Sequence, residues 1–165
     1  MYTIISATNR KGSNTLRVSK EYQHYFSEEG VQVRIYSLED FHSMFKDAAF
    51  ERLEEELLIP TQKFVFIMPE YNGSFLGIFK LMMDISDITR CWFHKKVMLV
   101  GVANGRAGNL RGLDNMTNMC HYMKMNVLPN KLPISSVSNE LKDERFYQET
   151  TLNAIRNQIR QFIEF

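Results

Sequence analysis

The sequence predicts an α/β protein: a doubly wound, five-stranded parallel sheet with helices on both faces. Three observations carry this. Short runs rich in Val, Ile, Leu, Phe and Met alternate with longer segments whose apolar residues recur at helical spacing. The third and fourth runs, residues 63–68 and 96–103, are almost continuously apolar, as in strands buried on both faces. Loops rich in glycine, amide and hydroxyl residues follow the first, third and fourth runs, and the remaining connections look ordinary. In a doubly wound sheet, right-handed crossovers cover both faces, and ligands bind beyond the carboxyl ends of the strands, at the switch point beside the first.

The five strands are expected at residues 2–7, 31–37, 63–68, 96–103 and 132–137. After the first, a helix runs from about Leu16 to Phe26, with Val18, Tyr22, Tyr25 and Phe26 on one face and Gly30 placed to end it. Residues 41–60 set Phe50, Leu53, Leu57 and Leu58 among Glu51, Glu54, Glu55 and Glu56, which reads as a short amphipathic helix with a solvated acidic side. Residues 75–88, 110–123 and 144–162 carry similar apolar stripes and complete the alternation.

A chain of 165 residues suits one domain spanning 1–165, large enough to bury a substantial core. The 20 basic and 19 acidic residues leave a net charge of +1, which points neither to nucleic acid nor to an acidic docking surface. Cys91 and Cys120 form no C-x-x-C or zinc spacing, so reduced thiols are expected. The chain opens on strand-like sequence with no leader pattern, and no apolar run approaches the ~20 residues that a membrane-spanning helix needs. A soluble, cytoplasmic protein with no metal and no membrane or nucleic-acid partner is the expectation.

The first loop is the most informative. Ser6-Ala7-Thr8-Asn9-Arg10-Lys11-Gly12-Ser13-Asn14-Thr15 leaves a buried strand and enters a helix, bringing three hydroxyls (Thr8, Ser13, Thr15), the Asn14 amide and the Arg10 guanidinium to a helix amino terminus. There, free N–H groups and the helix dipole favour an anion. Neither G-x-x-x-x-G-K-[ST] nor G-x-G-x-x-G is present. Ser13 and Thr15 also have a plainer reading as N-caps, and Arg10 as a solvated loop charge.

The loop after the third strand, Pro69-Glu70-Tyr71-Asn72-Gly73-Ser74, joins a proline, an aromatic ring, an amide and a glycine at the same edge. The loop after the fourth, Asn104-Gly105-Arg106-Ala107-Gly108-Asn109, adds two amides, two glycines and an arginine. Backbone N–H groups around Gly73 and Gly105 can approach a flat polar ring, and Tyr71 can stack on it. With an anion held at the first loop, the ligand described is an aromatic system with a phosphorylated tail, which FMN fits.

These three segments, and the order of elements over nearly the whole chain, resemble the NAD(P)H-dependent FMN reductases of flavodoxin-like fold, a group that includes azo-dye, quinone and chromate reductases. The Pro69-Glu70-Tyr71-Asn72-Gly73-Ser74 stretch, with Lys80 and Asp84 on the next helix, is the most specific part of the likeness. The resemblance implies that Thr8, Arg10, Ser13, Asn14 and Thr15 surround the phosphate and ribityl end of FMN. It places Pro69, Glu70, Tyr71, Asn72 and Gly73 along the isoalloxazine, and Asn104, Gly105 and Arg106 at its pyrimidine side. Arg10 is also a candidate for the phosphate of NADPH. Ala7-Thr8 stands where the group often has Gly-Ser, and Asn104-Gly105 and Gly108-Asn109 where glycine pairs are common, departures that bear on substrate and nicotinamide preference.

The implied activity is hydride transfer in two half-reactions, from NADPH or NADH through FMN to a small acceptor such as a flavin, quinone or azo compound. The cofactor carries the chemistry, so no catalytic acid or base is nominated. The resemblance also implies a homodimer that walls the flavin pocket. Two rivals share the fold: a flavodoxin-type electron carrier, and a flavin-free module that binds a phosphorylated metabolite. His24, His42, His94 and His121 have no metal spacing and read as surface or packing residues. Met82, Met83, Met116, Met119, Met123 and Met125 read first as core and second as an interface, and Trp92 and Phe93 as local packing before interface or lid.

Overall fold

The computed structural model describes residues 1–142 and 145–165. Strands β1 (Tyr2–Ser6), β2 (Val33–Ser37), β3 (Lys63–Pro69) and β4 (Lys96–Val102) form a parallel sheet in the order β2-β1-β3-β4. The fifth position is shared by two short strands, β5 (Asn126–Val127) and β6 (Leu132–Ile134), which pair with the two ends of β4. The doubly wound sheet is therefore present, with the last strand interrupted. Pro129, with no N–H to donate, lies in the interruption. The Leu99 carbonyl, opposite the break, instead accepts from Nε2 of the buried Gln158 at 3.1 Å.

Alternation along the strands sorts the core into two layers. Ile4, Val65, Ile67, Met98 and Val100 face helices α1 (Asn14–Glu28) and α7 (Glu149–Glu164). Ile5, Phe64, Phe66, Val97 and Leu99 face α2 (Ala48–Leu53), α3 (Gly77–Ile85), α4 (Ile88–Cys91) and α5 (Leu110–Tyr122). A single turn of α6 (Val137–Glu140) follows β6, and a small antiparallel hairpin, β7 (Leu141–Lys142) with β8 (Arg145–Phe146), precedes α7.

Several boundaries differ from expectation for identifiable reasons. The amphipathic segment 41–60 is helical only from Ala48, where Asp47 caps the Phe50 N–H at 2.8 Å, and its second half, Glu54–Leu58, is a π-helix. The stripe 75–88 breaks at Ser86 and Asp87, the latter capping α4 through the N–H groups of Thr89 and Arg90. The last helix begins at Glu149 and extends to Glu164; its expected start at Glu144 lies outside the described residues, and Arg145 and Phe146 are in the hairpin. That hairpin is held to α1 by the buried Glu21, which takes the Arg145 guanidinium at 2.5 Å and the Phe146 N–H at 3.2 Å.

Trp92 is fully buried against Phe64 and Phe66, its indole N–H donating to Ser86 Oγ at 2.6 Å, which is the packing reading. Met82, Met83, Met116, Met123 and Met125 are core residues. Cys91 and Cys120 are buried, free thiols whose pKa values burial pushes up to about 12. Both are expected to resist alkylation near pH 8 in the native protein and to react promptly in denaturant. Because the unfolded thiols ionise near 9.0, this contribution to stability is complete below that pH and is lost as pH rises towards 12. Lys95, whose pKa burial lowers to about 8 from 10.5, acts in the opposite sense between those values. The melting temperature is therefore expected to fall steeply above 10.5, where the lysine no longer compensates.

Candidate functional site

All three informative loops open at the carboxyl edge of the sheet. There a cleft of about 400 Å³, in the range of small-ligand pockets, is lined by the β1–α1 loop, the ends of β3 and β4, and α6.

The β1–α1 loop forms its floor. Ala7 N–H donates to the Ile67 carbonyl at 2.9 Å, carrying the loop off β1 beside β3. Thr8 is buried, and its Oγ1 accepts from the Arg10 N–H at 3.2 Å. Gly12 takes a positive φ of 64° to turn the chain into α1. Ser13 is the N-cap, accepting from the Leu16 N–H at 3.1 Å. The capping reading is thus correct for Ser13, and it leaves the hydroxyl proton available to the cleft. The first-turn N–H groups of Asn14 and Thr15 have no carbonyl four residues back within the helix. Thr15 has only 2% of its surface exposed, so it meets the cleft from below.

On the β3 side, Pro69, Glu70 and Tyr71 line the cleft, Glu70 N–H donating to the Val102 carbonyl at 3.1 Å. Asn72 and Gly73, at φ of 49° and 72°, are the two central residues of a tight reversal in which Tyr71 and Ser74 exchange N–H bonds of 2.8 and 2.9 Å. Asn-Gly is favoured in such two-residue turns because both positions need positive φ. The turn packs on α5, with Arg111 beside Gly73 and Asn115 Nδ2 donating to Ser74 Oγ at 3.0 Å.

On the β4 side, Asn104 lines the cleft together with Val102 and Ala103, whereas Gly105 and Arg106 lie at the exposed tip of the loop. The base of this loop is tightly built. Asn109, fully buried and at φ 68°, caps α5 by accepting from Gly112 N–H at 3.2 Å and donates to the Met68 carbonyl at 3.0 Å.

Of the residues singled out in the sequence, Thr8, Arg10, Ser13, Asn14, Thr15, Pro69, Glu70, Tyr71 and Asn104 share the cleft. Asn72, Gly73, Gly105 and Arg106 stand outside its lining. Gly12, Val102, Ala103, Val137 and Ser138 line it without having been singled out. Ser138 was legible only from its place, since the carboxyl end of the fifth strand meets the same sheet edge. Among the described residues, no three His, Cys, Asp or Glu side chains gather as a metal site, and no helix is long and apolar enough to cross a membrane.

A second groove, about 490 Å³, lies between α3 and α5 and is lined by Met83, Ile88, Met119, Tyr122 and Met123 beside the Lys80–Asp84 ion pair. Tyr122 is 81% exposed there.

The chain is thus a doubly wound α/β protein with a polar cleft at the switch point of its sheet. The chain belongs to the NADPH-dependent FMN reductase family, whose pattern it matches over residues 2–139. Solved structures place it in the flavodoxin-like fold. It is similar to FerB, a flavoenzyme NAD(P)H:(acceptor) oxidoreductase from Paracoccus denitrificans, with a TM-score of 0.78 and 15% identity over 99% of this chain and 94% of that one. It is similar also to an NADH:FMN oxidoreductase, EmoB, with a TM-score of 0.73 and 16% identity over 98% and 87% of the two chains. A flavodoxin from the domain Archaea matches with a TM-score of 0.67 and 15% identity over 99% and 97%.

Proposed function

We propose that the cleft holds FMN and passes hydride from NADPH or NADH to a small acceptor, a quinone, azo compound or free flavin. The observation that carries this is the meeting, in one cleft, of the α1 amino end with its hydroxyls and Arg10, the Pro69–Tyr71 segment, and Asn104. The donor set fits the group: N–H, O–H and guanidinium donors at one end suit a phosphate, and the aromatic and backbone-rich wall suits a flat ring.

In this reading Thr8, Arg10, Ser13, Asn14 and Thr15 bind the phosphate and ribityl end. Pro69, Glu70 and Tyr71 hold the ring, Asn72 and Gly73 fix the shape of that wall through their turn, and Asn104, Gly105 and Arg106 bound the far side. The chemistry supplied by bound FMN is two-electron transfer, hydride in from the nicotinamide and out to the acceptor. Donors aimed at the ring favour the charge that reduction adds. Tyr71, 37% exposed, borders the place where nicotinamide and acceptor alternate.

The whole chain acts as one domain, inside the cell and as a homodimer, with a second copy covering the apolar α3–α5 groove and Tyr122. The test is steady-state oxidation of NADPH with FMN and a small quinone. Sustained turnover supports the reductase, whereas flavin binding without turnover favours an electron carrier. Arg10 is also assigned to the 2′-phosphate of NADPH: Arg10→Ala is expected to raise the KM for NADPH about tenfold and that for NADH much less. Equal effects on the two would remove that assignment.

A further inference from the structure

A directional hydrogen-bond chain crosses the mouth of the cleft. Arg17 Nη1 donates to Asn14 Oδ1 at 3.3 Å, Asn14 Nδ2 donates to Ser138 Oγ at 3.2 Å, and Ser138 Oγ donates to Asn104 Oδ1 at 2.7 Å. The Ser138 backbone N–H meets the same Asn104 oxygen at 3.1 Å. It joins the first turn of α1, the turn of α6 and the loop after β4, and Asn14, Asn104 and Ser138 all line the cleft.

Side-chain amides can be turned either way, so their orientation has to be read from partners whose role is unambiguous. Here both ends of the chain are set by groups that can only donate. A guanidinium has no acceptor, which makes the Asn14 atom facing Arg17 the carbonyl oxygen. A backbone N–H has none either, which makes the Asn104 atom facing Ser138 the carbonyl oxygen. The Ser138 hydroxyl between them receives from one amide and gives to the other, and no other arrangement of its proton satisfies both contacts. The Ser136 backbone at φ 48° and the Val137 N–H donating to the Ala103 carbonyl at 3.1 Å hold α6 in the position that makes this possible.

We propose that Ser138 is a positioning residue that fixes both amides: it accepts one N–H of Asn14 and donates twice to the Asn104 oxygen, leaving the second Asn14 N–H and the Asn104 N–H₂ for the ligand. Each of the two amides then presents an N–H and not its oxygen, which suits a ligand with acceptor oxygens at both ends: a phosphorylated tail near Asn14 and a ring carbonyl near Asn104. This rests on the reading of the cleft as the FMN site. A donor held at a ring carbonyl binds the ring more strongly when it carries negative charge, so Ser138, acting through Asn104, favours the reduced cofactor.

The test compares the unmodified protein with Ser138→Ala and Ser138→Thr, measuring the FMN dissociation constant and the midpoint potential of the bound flavin, with thermal unfolding as a check on folding. Ser138→Ala is expected to lose binding of reduced FMN about tenfold more than that of oxidised FMN, which lowers the two-electron midpoint by about 30 mV. Ser138→Thr, which keeps the hydroxyl, is expected to restore both quantities. An unchanged potential in Ser138→Ala, whatever happens to its melting temperature or its affinity for oxidised FMN, overturns the positioning role and leaves the flavin reading intact. Failure of the unmodified protein to bind FMN overturns the flavin reading, and the role of Ser138 with it.

Discussion

Replacing Ser13 by Asp is expected to weaken FMN binding by about 100-fold, close to 2.7 kcal/mol, while riboflavin affinity changes only a few-fold. Ser13 caps α1 through its side-chain oxygen, and Asp serves that position equally well, so the helix start and the fold are preserved. What changes is the charge. Ser13 is 7% exposed where it lines the cleft, and a carboxylate placed there repels a phosphate by about 4 kcal/mol per charge pair at ~4 Å and an effective dielectric near 20, before screening reduces it. Riboflavin has no phosphate to repel. Fluorescence titrations with the two ligands check this, with the melting temperature as a control. Equal weakening for both would remove the phosphate from the α1 cradle.

The second large effect is structural. Gly101→Ala is expected to cost at least about 3 kcal/mol, lowering the melting temperature by roughly 6–12 °C. A Cβ on Gly101 would lie 2.2 Å from the Gly108 carbonyl oxygen and 3.2 Å from Asn109 and Leu113 side-chain carbons. The first neighbour is backbone in a loop that cannot retreat, because a Cβ on Gly108 would itself meet Pro133 at 2.7 Å and Asn109 is pinned to Met68. The loop after β4 is thus seated on bare backbone, and its shift would move Asn104 with it. Gly77→Ala is the control, since nothing lies within 4 Å of its added Cβ. Thermal unfolding of the two variants decides it; a Gly101→Ala protein as stable as Gly77→Ala would contradict this packing.

The sheet was legible because its signal is local and repeated. Strands such as 63–68 and 96–103 are apolar on both faces, and that pattern survives without knowledge of neighbours. The cleft was legible because doubly wound topology assigns it to one sheet edge, where three unusual loops then coincide. What escaped the sequence depended on partners distant along the chain. The interruption between β5 and β6 is tolerable because Gln158, far away on α7, satisfies the exposed Leu99 carbonyl. Asn72 and Gly73 stand in the sequence as expected ligand contacts, and the tight turn that their positive φ values build is a further role seen only in the structure. Asn109 reads as one more loop amide, yet it is fully buried and holds α5 to β3. Ser138 is invisible as a motif, because its role exists only through Asn14 and Asn104, 124 and 34 residues away.

The most direct test of the account is the visible absorption spectrum of the purified protein after incubation with FMN and desalting. Flavin bands retained with the protein, and bleached on anaerobic addition of NADPH, are the predicted result. A colourless protein after desalting would contradict FMN as the group that the cleft is built to hold.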